Sequence, residues 1–196
     1  AFINFLVYFS DIGLAAALIQ KKEDISKNDL KTTFTIQQAI ILFLVVLGLV
    51  FSKPIANFYK LDPEGLLLFR ALILSLVLSS LKTIPSIILE RKLDFSKLVI
   101  PQIAENITFY TVAIILAVNN FGIASFTWAV IARGFVGLTI IYALSPWMPQ
   151  FGIDKKSFKS LTSFGIPFQI NSVLALIKDD LLTIFLGKIL TLTQIG

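Results

Sequence analysis

Nine ionisable side chains of the 196-residue chain stand inside long apolar runs or at their edges: Asp11, Arg70, Lys82, Glu105, Arg133, Lys178, Asp179, Asp180 and Lys188. At the centre of a membrane helix such a group costs about 2.5–3.5 kcal/mol on insertion scales, so each needs a partner, water or a ligand. Arg70 and Lys188 lie near run ends, where a long side chain reaches the interface, and need no role. Lys82 precedes Glu90 by two helical turns and Glu105 follows Lys97 by the same interval, on successive antiparallel segments. At 1.5 Å per residue both sit about 12 Å from one membrane face, close enough to form a structural ion pair or to line a cavity together. Arg133 falls mid-span, between the uncharged runs 106–132 and 134–153, with Gly134 and Gly137 after it. Its guanidinium fork suits a diphosphate, and the alternative is an interhelical acid such as Asp11. The cluster Lys178, Asp179 and Asp180 is tolerable facing a water-filled cavity, as a proton or cation site, or paired internally or with Arg133.

No catalytic residue is expected. The chain has no cysteine and no histidine, which removes disulfides, thiolate or imidazole metal sites and Ser-His or Cys-His nucleophiles. No phosphate-binding glycine loop and no metal-spaced cluster occurs, so neither metal nor cofactor is expected. Asn106-Ile107-Thr108 matches a glycosylation sequon but lies inside an apolar run, where it is chance.

The elements that must hold these residues follow from composition. With 56% apolar and 15% charged residues and a mean hydropathy of +0.86, a soluble globular domain and a disordered chain are both excluded. The uncharged windows 32–52, 106–132 and 134–153 are long enough to cross about 30 Å of hydrocarbon and lack the period-two alternation of a membrane barrel. The pattern predicts an all-α, polytopic transmembrane bundle of about six spans, at 1–20, 32–52, 65–89, 98–118, 121–144 and from about 160 on. Gly165 and Pro167 are expected at the start of the last helix. Its sole methionine is Met148, and the chain opens inside an apolar run, as expected of a piece of a longer protein.

Basic residues concentrate in alternate loops. Lys21, Lys22, Lys27 and Lys31, then Arg91, Lys92 and Lys97, then Lys155, Lys156 and Lys159 stand against only Lys53 and Lys60 in the others. The positive-inside rule places loops 21–31, 90–97 and 145–159 in the cytoplasm. That topology accounts for the net charge of +5 without a nucleic-acid partner, anionic headgroup binding being its secondary reading.

Asp11-Ile12-Gly13-Leu14 with Ala17 to Lys21 resembles the end of the second transmembrane helix of bacterial and archaeal oligosaccharide flippases. These form the polysaccharide-transport branch of the multidrug/oligosaccharidyl-lipid/polysaccharide exporter superfamily. The resemblance continues through Pro54 to Tyr59, Ile84-Pro85 to Phe95, Phe121-Gly122, Ser145-Pro146-Trp147-Met148-Pro149, Phe164-Gly165-Ile166-Pro167 and Leu186 to Gly196. It implies a two-lobed transporter of 12–14 helices, with 1–159 in a first lobe lacking its beginning and 160–196 the truncated first helix of a second. It further implies flipping of polyprenyl-diphosphate-linked oligosaccharide across the cytoplasmic (inner) membrane for polysaccharide biosynthesis, with a coupling ion, H+ or Na+, as an option. Implied partners are the bilayer and the lipid-linked oligosaccharide, with polysaccharide polymerase and chain-length proteins beyond them. A departure is Leu182, where the family pattern leads one to expect an acid. The alternatives are a cation-coupled multidrug exporter of the same superfamily and a membrane-embedded glycosyltransferase. The second would need an outer-face acid, for which Asp62 and Glu64 are the available residues.

Overall fold

The structure, a computed structural model, describes residues 12–189, with backbone only at 176–177 and 179–189. The described residues form helices and connecting turns: α1 Leu14–Gln20, α2 Lys27–Val50, α3 Ser52–Phe58, α4 Pro63–Leu81, α5 Thr83–Arg91, α6 Phe95–Val118, α7 Ala124–Leu144 and α8 Lys155–Ile189. Four of them, α2, α4, α6 and α7, are long and apolar enough to cross a membrane. Of the other expected spans, 1–20 lies largely outside the described residues, and the last falls within α8.

Local chemistry fixes the boundaries. Ser26 caps α2, its hydroxyl accepting from the Asp29 N–H while its own N–H donates back to Asp29, a reciprocal capping box. Asp62 caps α4 ahead of Pro63 by accepting from Gly65 at 2.7 Å. Asp154 accepts from the Ser157 N–H at 2.8 Å, so α8 starts well before Gly165 and Pro167. Those two residues were expected at the helix start and instead lie in its interior.

Gly165 has a different use. A methyl group there would meet the carbonyl oxygen of Gly13 at 2.9 Å, and Gly13 itself holds φ +80, a backbone region favouring glycine. The two glycines let α8 cross the start of α1 at backbone contact.

The expected span 65–89 is two helices. Proline at 85 has no N–H for the carbonyl of Leu81, and the helix breaks at Lys82. The orphaned Leu81 carbonyl accepts instead from the Tyr142 hydroxyl of α7 at 3.1 Å. Gln37 and Gln38 of α2 donate to Thr83 and Ser80 on either side of the break, at 2.9 and 3.0 Å. In lipid every backbone group must be satisfied within the protein, so a broken helix requires such neighbours.

Two apolar cores hold the bundle. One joins Leu14, Leu18, Phe34, Ile84, Ile87 and Leu161 from α1, α2, α5 and α8; the other joins Ile41 and Val45 of α2 to Ile73 and Leu76 of α4. α6 packs chiefly on α7, while Ile103, Ile107, Tyr110, Ile114 and Val118 on its outer side stay exposed, as suits a surface in contact with lipid.

Candidate functional site

The antiparallel α6–α7 pair carries two of the intramembrane charges on facing turns. Glu105 and Phe109 are one turn apart on α6, and Arg133 and Gly137 one turn apart on α7. Gly137 faces Glu105 so closely that a methyl group at 137 would overlap the carboxylate, and Arg133 lies over the Phe109 ring at 5.3 Å. The structure brings Lys82 and Glu105 together, Nζ to Oε1, at 2.5 Å, with the side chains 18% and 21% exposed. The break after Leu81 places Lys82 at a helix junction rather than mid-helix, and the missing side chain at 137 makes room for its partner.

A cavity of about 170 Å³ opens beside this pair, lined also by Ser86, Glu90, Pro101 and Gln102. Glu90 is half-buried there, and burial raises its carboxyl above the ordinary carboxylate range. Lysine, two carboxylates, a hydroxyl and an amide thus share one small polar chamber.

Arg133, half-buried near the middle of α7, makes no ion pair among the described residues. A cation–π contact contributes about 0.5–1 kcal/mol when exposed and about 2 kcal/mol or more when desolvated, against the roughly 2.5–3.5 kcal/mol that a mid-membrane arginine costs. Gly134 beside it is packed on Leu78 of α4, where a methyl group would come within 2.6 Å of the leucine side chain. Arg133 therefore stands beside a tight helix crossing with its N–H fork uncompensated by any described carboxylate.

The other sequence candidates fall elsewhere. Asp11 lies outside the described residues; Asp179 and Asp180 are in α8 with their side chains outside them; Lys178 is exposed on α8. Arg70 donates to the Ser52 hydroxyl at 3.1 Å. Asp62 and Glu64, the acids a glycosyltransferase would draw on, are both occupied with backbone: Asp62 caps α4, and Glu64 accepts from the Ile123 N–H at 3.2 Å ahead of α7.

Sequence reasoning missed Arg91, counted only as a loop charge. Its guanidinium donates to the carbonyls of Leu18, Ile19, Lys21 and Glu23, closing the C-terminus of α1 against α5. No spacing rule points to a contact across so many residues. Phe109 was missed for the same reason, whereas Gln37-Gln38 inside an uncharged run was a signal for an interhelical polar contact.

A family model described as polysaccharide biosynthesis protein matches residues 1–196. The chain is 24% identical over 195 residues to the succinoglycan biosynthesis transport protein ExoT of Rhizobium meliloti (strain 1021), covering 99% of this chain and 39% of that protein. It is 28% identical over 165 residues to the teichuronic acid biosynthesis protein TuaB of Bacillus subtilis (strain 168), covering 83% of this chain and 33% of that one. The chain therefore spans well under half the length of these relatives. No solved structure gives a significant match.

Proposed function

The chain belongs to the polysaccharide biosynthesis protein family, and from that premise we propose that it is part of a membrane transporter flipping polyprenyl-diphosphate-linked oligosaccharide from the cytoplasmic to the outer leaflet of the cytoplasmic membrane. One relative is named a succinoglycan biosynthesis transport protein, which supports transport rather than sugar transfer. The single observation that carries the reading is Arg133, a mid-span guanidinium over an aromatic ring with no carboxylate partner among the described residues.

The chemistry follows from that placement. A diphosphate entering the bilayer must exchange water for fixed donors, and an arginine fork meets phosphate oxygens two at a time. The Phe109 ring, 5.3 Å from the guanidinium, constrains its orientation without taking up its N–H donors. Residues 1–159 then serve as first-lobe helices, with 160–196 opening the second, and the lobes rock around the bound head group while the polyprenyl tail stays in lipid. The basic loops 21–31, 90–97 and 145–159 face the cytoplasm in this scheme.

The test is translocation of a fluorescent polyprenyl-diphosphate oligosaccharide by the whole protein in sealed vesicles. Two charge-assisted hydrogen bonds at about 1.5–3 kcal/mol each predict that Arg133→Ala lowers transport by tenfold or more, with Arg133→Lys intermediate. Unchanged transport by an inserted, folded Arg133→Ala variant ends the assignment. Efflux of a cationic dye in place of the lipid-linked sugar would favour the multidrug exporter.

A further inference from the structure

Two cavities lie along one stripe of α2. The first, about 230 Å³, sits at the helix start between Lys27, Leu30 and Lys31 and the segment Trp147, Met148 and Gln150. The second, about 350 Å³ and lined mostly by apolar groups, lies further along the helix between Thr35, Gln38, Ala39 and Leu42 of α2, Val77 of α4 and Phe151. Lys27, Lys31, Thr35, Gln38 and Leu42 follow one another at helical spacing, so the basic mouth and the apolar groove share one face.

We propose that the two cavities form a single binding site for an anionic phospholipid, its phosphate between Lys27 and Lys31 and one acyl chain along the groove. The lysines are available for this. Neither makes an ion pair among the described residues; of the acids around them, Asp29 pairs with Lys21 at 2.7 Å and Asp154 accepts from the Ser157 N–H, while Glu23 and Asp24 are exposed in the preceding loop. The positive end of the α2 macrodipole adds to their field at the same place.

The site is also held in shape. Gly152, at φ +148, has no side chain, and the Lys31 stem passes through the space one would fill. Thr35 accepts from the Gly152 N–H at 2.8 Å and donates to the Gly152 carbonyl at 3.1 Å, strapping the 145–154 segment across α2. Beneath the strap Phe34 contacts both Trp147 and Phe151, at 5.0 and 5.3 Å between ring centres. In the proposed site Trp147 would occupy the interfacial level at which tryptophan collects in membrane proteins. Met148 and Phe151 beside it are 82% and 69% exposed, an apolar rim that water would disfavour and lipid would cover. A free phosphate would use the first cavity alone; the apolar groove further along the same face of α2 is what a lipid adds.

The experiment places the whole protein, with Trp147 as its only tryptophan, in nanodiscs and measures quenching by phospholipids with brominated chains. Phosphatidylglycerol is expected to quench at a several-fold lower mole fraction than phosphatidylcholine. Changing Lys27→Gln and Lys31→Gln together should weaken that preference by about fivefold per lysine, at about 1 kcal/mol per basic residue near an anionic surface. Changing Lys155→Gln and Lys156→Gln, exposed lysines outside the cavity, should leave it in place. Unaltered Trp147 emission in zwitterionic lipid shows that the variants keep the strap. Equal quenching by the two lipids overturns the site, and an equal effect of the two lysine pairs overturns it in favour of diffuse attraction. Relief of quenching by inorganic phosphate, or displacement by polyprenyl phosphate at far lower mole fraction than by phosphatidylglycerol, overturns the assignment to a bilayer phospholipid.

Discussion

Removing one member of the Lys82–Glu105 pair should cost far more than removing both. The two atoms are 2.5 Å apart and each side chain is about four-fifths covered, so Lys82→Met or Glu105→Ala alone strands a charge in a site with little water. Breaking a buried pair from one side costs about 3–5 kcal/mol, whereas replacing both members by apolar groups is often neutral. The expected coupling in a double-mutant cycle is therefore about 3 kcal/mol or more. Gly137 supplies an independent arm. A methyl group there overlaps the Glu105 carboxylate, so Gly137→Ala should cost about 1–3 kcal/mol as overpacking, and most of that penalty should vanish in a Glu105→Ala background. The assay is equilibrium unfolding of the whole protein in bicelles, read as shifts in the denaturation midpoint. Single substitutions costing less than about 1 kcal/mol each and adding in the double variant would refute the reasoning, as would a Gly137→Ala penalty indifferent to residue 105.

Tyr142→Phe should cost about 1–3 kcal/mol by leaving the Leu81 carbonyl without a donor, yet be nearly neutral in a Pro85→Ala background, where residue 85 can supply its own N–H; midpoints of the four proteins check this. Arg91→Ala removes four carbonyl contacts at the end of α1 and should destabilise by about 3 kcal/mol in total. Arg91→Lys should recover less than half, because one ammonium cannot span those carbonyls; hydrogen exchange at residues 18–23 is the readout. The Ser157 backbone N–H, and then its hydroxyl, hold the Asp154 carboxyl below its ordinary 3.8. Its stabilising contribution is accordingly present above about pH 4 and lost as pH falls through the lower folded value, and the melting profile of Asp154→Asn should be flatter across that window.

How much of this was legible depended on the range of the signal. Apolar run length located α2, α4, α6 and α7, because burial in lipid acts on about twenty consecutive residues at once. Boundaries set by one residue were read less well. Pro85 belongs to the family-like stretch Ile84 to Phe95, but its effect, a broken span, depends on Tyr142 standing ready to take the freed carbonyl. Gly165 and Pro167 read as a helix start because that is the common local use of such residues. Their actual setting, inside α8 against Gly13, is a tertiary requirement that no window of neighbours reveals. Lys82 and Glu105 were singled out by depth arithmetic alone, while Phe109 under Arg133 follows only from the register of α6 on α7.

That register separates the charges by what they have left to give. Arg91, Asp62, Glu64 and Asp154 spend their hydrogen bonds on backbone groups at helix ends, and Lys82 and Glu105 spend theirs on each other. Any substrate that drew on these would have to offset a structural bond first. Among the described residues Arg133 has the face of a ring and no ion pair, and Lys27 and Lys31 make no ion pair at the start of α2. For Arg133, half-buried with no carboxylate partner among the described residues, binding an anion would relieve the cost of its burial, whereas Lys27 is exposed and Lys31 only partly covered, so their availability rests on position. The two glycines after Arg133 differ in what they accommodate: Gly137 makes room for the Glu105 carboxylate, while Gly134 lets α7 pack against Leu78 of α4. Ligand chemistry is thus expected at Arg133 and at the lysine pair of α2, and the remaining charges hold the helices that carry them.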